Sequence, residues 1–311
     1  MKLRHTINDK LTACSYEFAR QELYALIRER GTETQISSFA DILQHSLSTV
    51  GEPHLSLIAE SLLRVGQQFR KKHVVTEFAA RDQAASPCPL GMLPIGHWLQ
   101  NELARVYLIA EVINQSYEKS NRFKVLYQLY DICDTEGRVA CLRALNFVEG
   151  VVADGLEMVH DAGRTYLSVL LEAAWCHNLF SSTHMSVEEF RKAVMKSLFC
   201  DVSIESFLGI DRAADQELSR RLCEFANERE AAERIVPLAV WRVAAYYPVE
   251  GLIARLIGHL EHPNRENRLT AAISLLRANN PLALAFIHSR IKRESDPEIL
   301  SVLNQVSVQM A

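Results

Sequence analysis

Apolar positions recur at steps of three and four through most of the chain. In ELARVYLIAEVINQSYEK, Leu103, Val106, Tyr107, Ala110 and Ile113 mark one face, and Leu108, Ile109 and Val112 widen it. This spacing predicts a helix buried on more than one side. The same pattern predicts helices near 8–30, 33–49 and 54–70, then 121–132, 135–148, 153–176, 186–199, 203–208 and 213–228. Ser186 followed by Glu189 fits a capping box, and Gly209 with Asp211 marks a turn. No alternating run of strand length stands out.

Proline placement divides the chain. None of the nine prolines lies between Pro94 and Pro237, which suits uninterrupted helices. Residues 82–97, DQAASPCPLGMLPIGH, gather three prolines and two glycines and read as a linker. After residue 249 the helices shorten, with breaks at His262-Pro263, Asn279-Asn280-Pro281 and Asp296-Pro297. Each break precedes a helix, and Arg268 sits early in one of them, as in HEAT-type repeats. The expected organisation is N-terminal helices over 1–81, a linker over 82–97, a central helical core over 98–248, and HEAT-like helices over 249–311 packed with that core. The expected fold is all-α, a multi-helical right-handed α-α array or superhelix, with no significant sheet. Trp98, Trp175 and Trp241 each sit in apolar helical context and are expected to be buried.

Composition narrows the function classes. A formal net charge of −4 gives no electrostatic footprint for nucleic acid. The opening MKLRHTINDK lacks the apolar run of a secretory signal. The apolar stretch LAVWRVAAYY is short and holds Arg242, so it reads as a core helix, and no transmembrane segment is expected. Seven cysteines without a CxxC pair fit reduced thiols and a cytoplasmic location.

Signatures for nucleotide, Rossmann, zinc-protease and serine-hydrolase chemistry are absent: there is no GxxxxGK with Ser or Thr, no GxGxxG, no HExxH and no GxSxG. Glu157-x-x-His160 stands alone, whereas di-iron bundles use two such motifs. His259-x-x-His262, beside Pro263, reads as a helix end. Neither a metal nor a cofactor is expected.

Polar residues inside apolar helices are the denser signal. On a continuous helix over 153–176, Asp161, Thr165, Ser168 and Glu172 would share a face that also carries Arg164 nearby. Other segments add Glu136, Arg138 and Arg143, then Lys196, Asp211 and Arg212, and finally Glu228, Arg229 and Arg234. Burying such groups requires pairing or a wet pocket. The plainer reading is a solvated face with a few structural ion pairs.

These residues fall in phrases that resemble the bacterial EboA family over about 97–242. They include HWLQNELAR with Trp98 and Arg105, Asp134-Thr-Glu136 followed by Arg143-Ala-Leu145, and HDAGRTYLSVLLEAAWCHN with His160, Asp161, Arg164, Thr165, Glu172 and Asn178. MKSLF follows with Lys196 and Phe199, then LGIDRAADQELSRRL with Asp211 and Arg212, then NEREAAERIVPLAVWR with Glu228, Arg229, Arg234, Trp241 and Arg242. The chain departs from the family where Asn178-Leu-Phe180 replaces Asn-Pro-Tyr, and where Phe190-Arg-Lys-Ala193 replaces Trp-Asn-Gln-Met. Arg212-Ala-Ala214 stands for Arg-Ala-Asn. Glu230 and Glu233 stand where the family has Trp and Gly. The lost types are ligand-contacting ones, so the resemblance implies a divergent member with an altered pocket.

The resemblance implies an accessory role in production or export of secondary metabolites, encoded beside a prenyltransferase and other small-molecule enzymes. The implied partners are a small apolar or prenylated ligand and those cluster enzymes. The alternative is an enzyme using Glu136, Asp161, Glu172 or Glu228 for acid/base chemistry, with Arg138, Arg164, Arg229 and Lys196 holding an anion.

Overall fold

The structure, a computed structural model, describes residues 15–48, 55–69 and 71–310. Eighteen α-helices, two short 3-10 turns and one two-stranded hairpin make up the described residues. The described residues are therefore all-α apart from that hairpin. No described helix is long and apolar enough to cross a membrane. The chain forms two compact units, one ending at Met185 and one beginning at Ser186, so the division falls inside the stretch 98–248.

The first unit holds α1 (Tyr16–Arg30), α2 (Glu33–Leu47), α3 (Leu55–Gln68), α4 (Phe78–Gln83), α5 (Gln100–Ser116), α6 (Arg122–Ile132) and α7 (Thr135–Ala144). It ends with α8 (Gly155–Arg164), α9 (Ser168–Trp175) and α10 (Leu179–His184). Helix α5 is its centre, packed by α1, α2, α3, α6 and α7. Its widened apolar stripe explains this: Leu103, Val106, Leu108, Ile109, Val112 and Ile113 are all buried. Tyr107 stacks on Tyr24 at 5.1 Å and meets Phe39 at 5.9 Å, tying α5 to α1 and α2.

Residues 82–97 contain the hairpin. Strand β1 (Ala85–Cys88) pairs antiparallel with β2 (Gly91–Pro94), and β1 packs on α1. Gly91 closes the turn at φ 137, a value costly for any side chain. With only two strands, the prolines at 87 and 94 sit on edges, where a missing N–H is tolerated.

The helix expected over 153–176 is two helices. Thr165 turns extended at ψ 169, and its hydroxyl donates to the Ala162 carbonyl at 2.9 Å, competing with helix continuation. Leu167 is also extended, and α9 starts at Ser168. Helices α8 and α9 pack against each other, with Gly163 so near Trp175 that a Cβ there would lie 3.0 Å from the indole. Asp161 and Glu172 consequently do not share one helix face.

The second unit holds α11 (Val187–Phe199), a 3-10 turn at Ile204–Ser206, α12 (Ile210–Ala213), α13 (Gln216–Ala231) and α14 (Leu238–Ala244). After these come α15 (Leu252–His259), α16 (Arg265–Ala278), a turn at Pro281–Ala283, α17 (Leu284–Ile291) and α18 (Pro297–Met310). The Ser186/Glu189 capping box is formed, and each C-terminal proline stands at a helix break. Helix α16 packs on α14, α15 and α18. Arg268 stitches this part: its Nη1 donates to the His262 and Pro263 carbonyls, and its Nε donates to Glu294 at 2.9 Å. Trp98, Trp175 and Trp241 are all buried, at 1%, 7% and 2% exposure.

Candidate functional site

The most unusual polar arrangement in the first unit forms where α7 packs on both α5 and α9. Arg143, in the last turn of α7, lays its guanidinium 4.8 Å from the centroid of the Trp98 ring. Its Nη1 is 3.7 Å from Glu102 Oε2, which also accepts the Leu99 N–H at 2.7 Å as the cap of α5. Side-chain exposure is only 14% for Arg143 and 13% for Glu102. The Nε and Nη1 of Arg143 and the indole Nε1 of Trp98 are buried with no hydrogen-bond partner among the described residues. Three orphaned donors at one contact is a costly arrangement unless a ligand or water completes it.

Backbone bonds fix the frame. Trp98 N–H donates to Ile95, and the Trp98 carbonyl accepts from Val74 at 2.8 Å. Phe147 meets the indole edge-on at 6.4 Å. A buried asparagine pair locks α7, α9 and α10 together. Asn146 Nδ2 donates to the Arg143 carbonyl at 2.9 Å and to Asn178 Oδ1 at 3.2 Å. Asn178 Nδ2 donates to the Ala173 carbonyl at 2.9 Å, and its Oδ1 accepts from Phe180 N–H as the cap of α10. The family-matching Asn178 thus positions Arg143 and the end of α9.

Glu172, on α9, stands at the exposed rim. Partial desolvation raises its carboxyl above the usual range; Arg143 opposes that and Glu102 adds to it. Burial, with Glu172 nearby, pushes the Cys176 thiol up to about 12. His97 and His177 stack at 4.4 Å and 6°, immediately beside Trp98 and Cys176 in the chain. His177 holds a left-handed φ of 49.

The other expected residues take separate places. Glu136 is bound by Lys71 and Arg105, which hold its carboxyl below its usual range. Arg138 donates to the Cys133 and Asp131 carbonyls and lies 5.2 Å over Tyr130. Burial, with Asp161 second, pushes that phenol up to about 12, so Arg138 and Asp161 bear on one ring. Asp161 also pairs with Arg164 at 3.6 Å, and Arg164 is 79% exposed. In the second unit Lys196 is half-buried at the end of α11, while Asp211, Arg212, Glu228 and Arg234 are exposed. Arg229 donates to the Ile235 carbonyl at 2.6 Å and lies 5.6 Å over Phe225. Within the first unit, then, Glu172, Glu136 and the Asp161/Arg164 pair occupy three neighbourhoods. Sequence reasoning overlooked Glu102 and gave Arg143 no special weight. The available signal was Arg143 as the lone cation in the apolar run VACLRALNFV.

No group of three or more His, Cys, Asp or Glu that could hold a metal ion occurs among the described residues.

The family model described as metabolite traffic protein EboA matches residues 47–245. The chain belongs to the EboA family. No curated protein and no solved structure matches it. The match starts well before the phrases around Trp98 and takes in α3. Arg105 Nε donates to the Leu62 carbonyl at 3.0 Å, and its guanidinium fills the space beside Gly66, where a Cβ would fall 1.8 Å from Nη2. Helix α3 and the arginine of HWLQNELAR therefore form one packing unit. The whole Arg143–Trp98 cluster also lies inside the matched span of this metabolite-traffic family.

Proposed function

We propose that the protein is a non-enzymatic accessory that holds a small apolar or prenylated metabolite by a hydrogen-bond-accepting group at Arg143 and Trp98. The observation that carries this is the set of buried donors that make no hydrogen bond among the described residues: Arg143 Nε and Nη1 and Trp98 Nε1. A guanidinium N–H gives a charge-assisted hydrogen bond to a carboxylate, quinone or phenolate oxygen, and the indole beneath it gives an apolar wall. Glu102 balances the arginine's charge when no ligand is present. The role is cytoplasmic, in secondary metabolism, with the enzymes that make or consume the metabolite as partners.

One observation favours a second reading, an enzyme. Glu102 is fixed by a backbone N–H and an arginine, whereas the Glu172 carboxyl is raised, so two carboxyl groups near one cation differ in environment. Glu172 would then be the acid.

Untargeted metabolite profiling of a deletion strain, complemented with wild type, Arg143→Met or Glu172→Gln, separates the two. The accessory reading expects Glu172→Gln to restore the wild-type profile and Arg143→Met to fail. Failure of Glu172→Gln, with substrate accumulating, would establish the enzyme. Restoration by both variants would remove the cluster from function.

A further inference from the structure

The second unit carries a feature outside the family-matched residues. A groove of about 880 Å³ runs along α15 and the turn into α17. Ile253 and Ile257 of α15, Leu282 and Phe286 from the turn and α17, and Val249 are among its lining residues. Leu282 is 76% exposed and Phe286 54%. Gly258 opens the groove further, since a Cβ there would meet nothing within 4 Å. Glu250 is the one charged lining residue, which disfavours an anionic group within the groove itself. The volume is in the range of small-molecule sites.

A cationic cluster lies at the ends of α14 and α16, a few residues along the chain before lining residues of this groove. Arg242 and Arg277 stand in the last turns of α14 and α16, which pack together. Both approach Glu205: Arg242 Nη2 at 2.9 Å and Arg277 Nη1 at 3.7 Å. Arg277 also lies 5.0 Å over Tyr246. Two guanidinium groups against one carboxylate leave a positive charge in excess, and Arg242 Nε is buried with no partner among the described residues. These side chains are 28–29% exposed, so a solute can reach them. Tyr246 precedes the groove residue Pro248 by two positions and Arg277 precedes Asn280 by three. Three residues span at most about 11 Å.

We infer that the second unit binds an amphiphile, with its aliphatic chain in the groove and an anionic head, carboxylate or phosphate, on Arg242 and Arg277. Charge complementarity selects the head: the excess guanidinium and the orphaned Nε both call for an anion. A purely structural role for Arg277 also exists, because its Nη1 donates to the Arg242 carbonyl at 3.0 Å and a cation suits a helix C-terminus. That role alone would make no difference between charged and uncharged ligands. The site is independent of the Arg143 cluster.

Isothermal titration of the full chain with hexadecanoate, hexadecyl phosphate and hexadecan-1-ol, below their aggregation limits, tests the inference. At least one anion should bind saturably, and the alcohol at least about tenfold more weakly, the worth of a hydrogen bond to a charged group. The tighter of the two anions identifies the head. Gly258→Trp places an indole where an added Cβ meets nothing within 4 Å and should abolish binding of every probe. Arg277→Met should bring the tighter anion to the alcohol's affinity and leave the alcohol unchanged; Arg242→Gln, judged against its melting temperature, serves if Arg277→Met fails to fold. No saturable binding of either anion, wild-type binding by Gly258→Trp, or an alcohol that binds as tightly as both anions would overturn it.

Discussion

Replacing Glu294 with Gln should reveal how the C-terminal helices are held together. The Glu294 side chain is 1% exposed and lies between two arginines. Arg268 donates at 2.9 Å and 3.3 Å, Arg290 at 2.6 Å and 3.1 Å, and the N–H groups of Ser295 and Asp296 add bonds at 3.0 Å and 3.1 Å. Burial alone would raise this carboxyl, but the two arginines and two N–H groups outweigh it and bring it to about 2. A carboxyl that titrates near 2 instead of its usual value contributes about 3 kcal/mol at neutral pH. Because the folded value is the lower one, that contribution is complete above about pH 4.5 and is lost as pH falls towards 2. The amide of Glu294→Gln keeps the shape but takes from Arg268 its carboxylate partner and leaves Arg290 only Glu261, so the variant should lose about 3 kcal/mol at pH 7. Urea unfolding followed by Trp241 fluorescence, in a background carrying Trp98→Phe and Trp175→Phe, reads the second unit alone. The gap between Glu294 and Gln proteins should shrink steadily from pH 5 to pH 3. A gap below about 1 kcal/mol at pH 7, or one unchanged at pH 3, would refute the reasoning.

Arg164→Met should change stability by less than about 0.5 kcal/mol and leave the metabolite profile intact, because Arg164 is 79% exposed and its ion pair with Asp161 is a surface i,i+3 contact. Thermal melting beside the complementation assay checks both halves. Asn178→Ala should cost about 2–4 kcal/mol in chemical denaturation, since it removes the α10 cap and leaves the Ala173 carbonyl and the Asn146 amide short of partners in a buried site. A cost below about 1 kcal/mol would mean the asparagine pair does not position Arg143.

Local features of the fold were legible where one physical cause acted alone. The broad apolar stripe of α5, the Ser186 capping box and the proline breaks at 263, 281 and 297 each specify backbone state within a few residues. The hairpin at 85–94 was not legible, because its four-residue strands contain the prolines and glycine that elsewhere signal a linker. The break at Thr165–Leu167 carries no proline or glycine. It arises from a threonine hydroxyl bonding its own chain and from Trp175 packing on Gly163, and the second of these is tertiary. The candidate site is tertiary in the same sense. Trp98 and Glu102 precede Arg143 by about forty residues, and Glu172 follows it on another helix. Spacing along one helix pointed to Asp161, Thr165, Ser168 and Glu172, while the orphaned donors belong to Arg143 and Trp98, whose contact no local pattern encodes.

The most direct test of the central claim is a comparison of small molecules carried by the purified protein. Wild type, Glu172→Gln and Arg143→Met would be isolated from the producing cells under native conditions, and their organic extracts resolved by liquid chromatography and mass spectrometry. The account predicts one apolar, acceptor-bearing metabolite retained by wild type and Glu172→Gln and reduced at least about tenfold in a folded Arg143→Met. Equal retention by Arg143→Met, or no metabolite on the wild type, would contradict it.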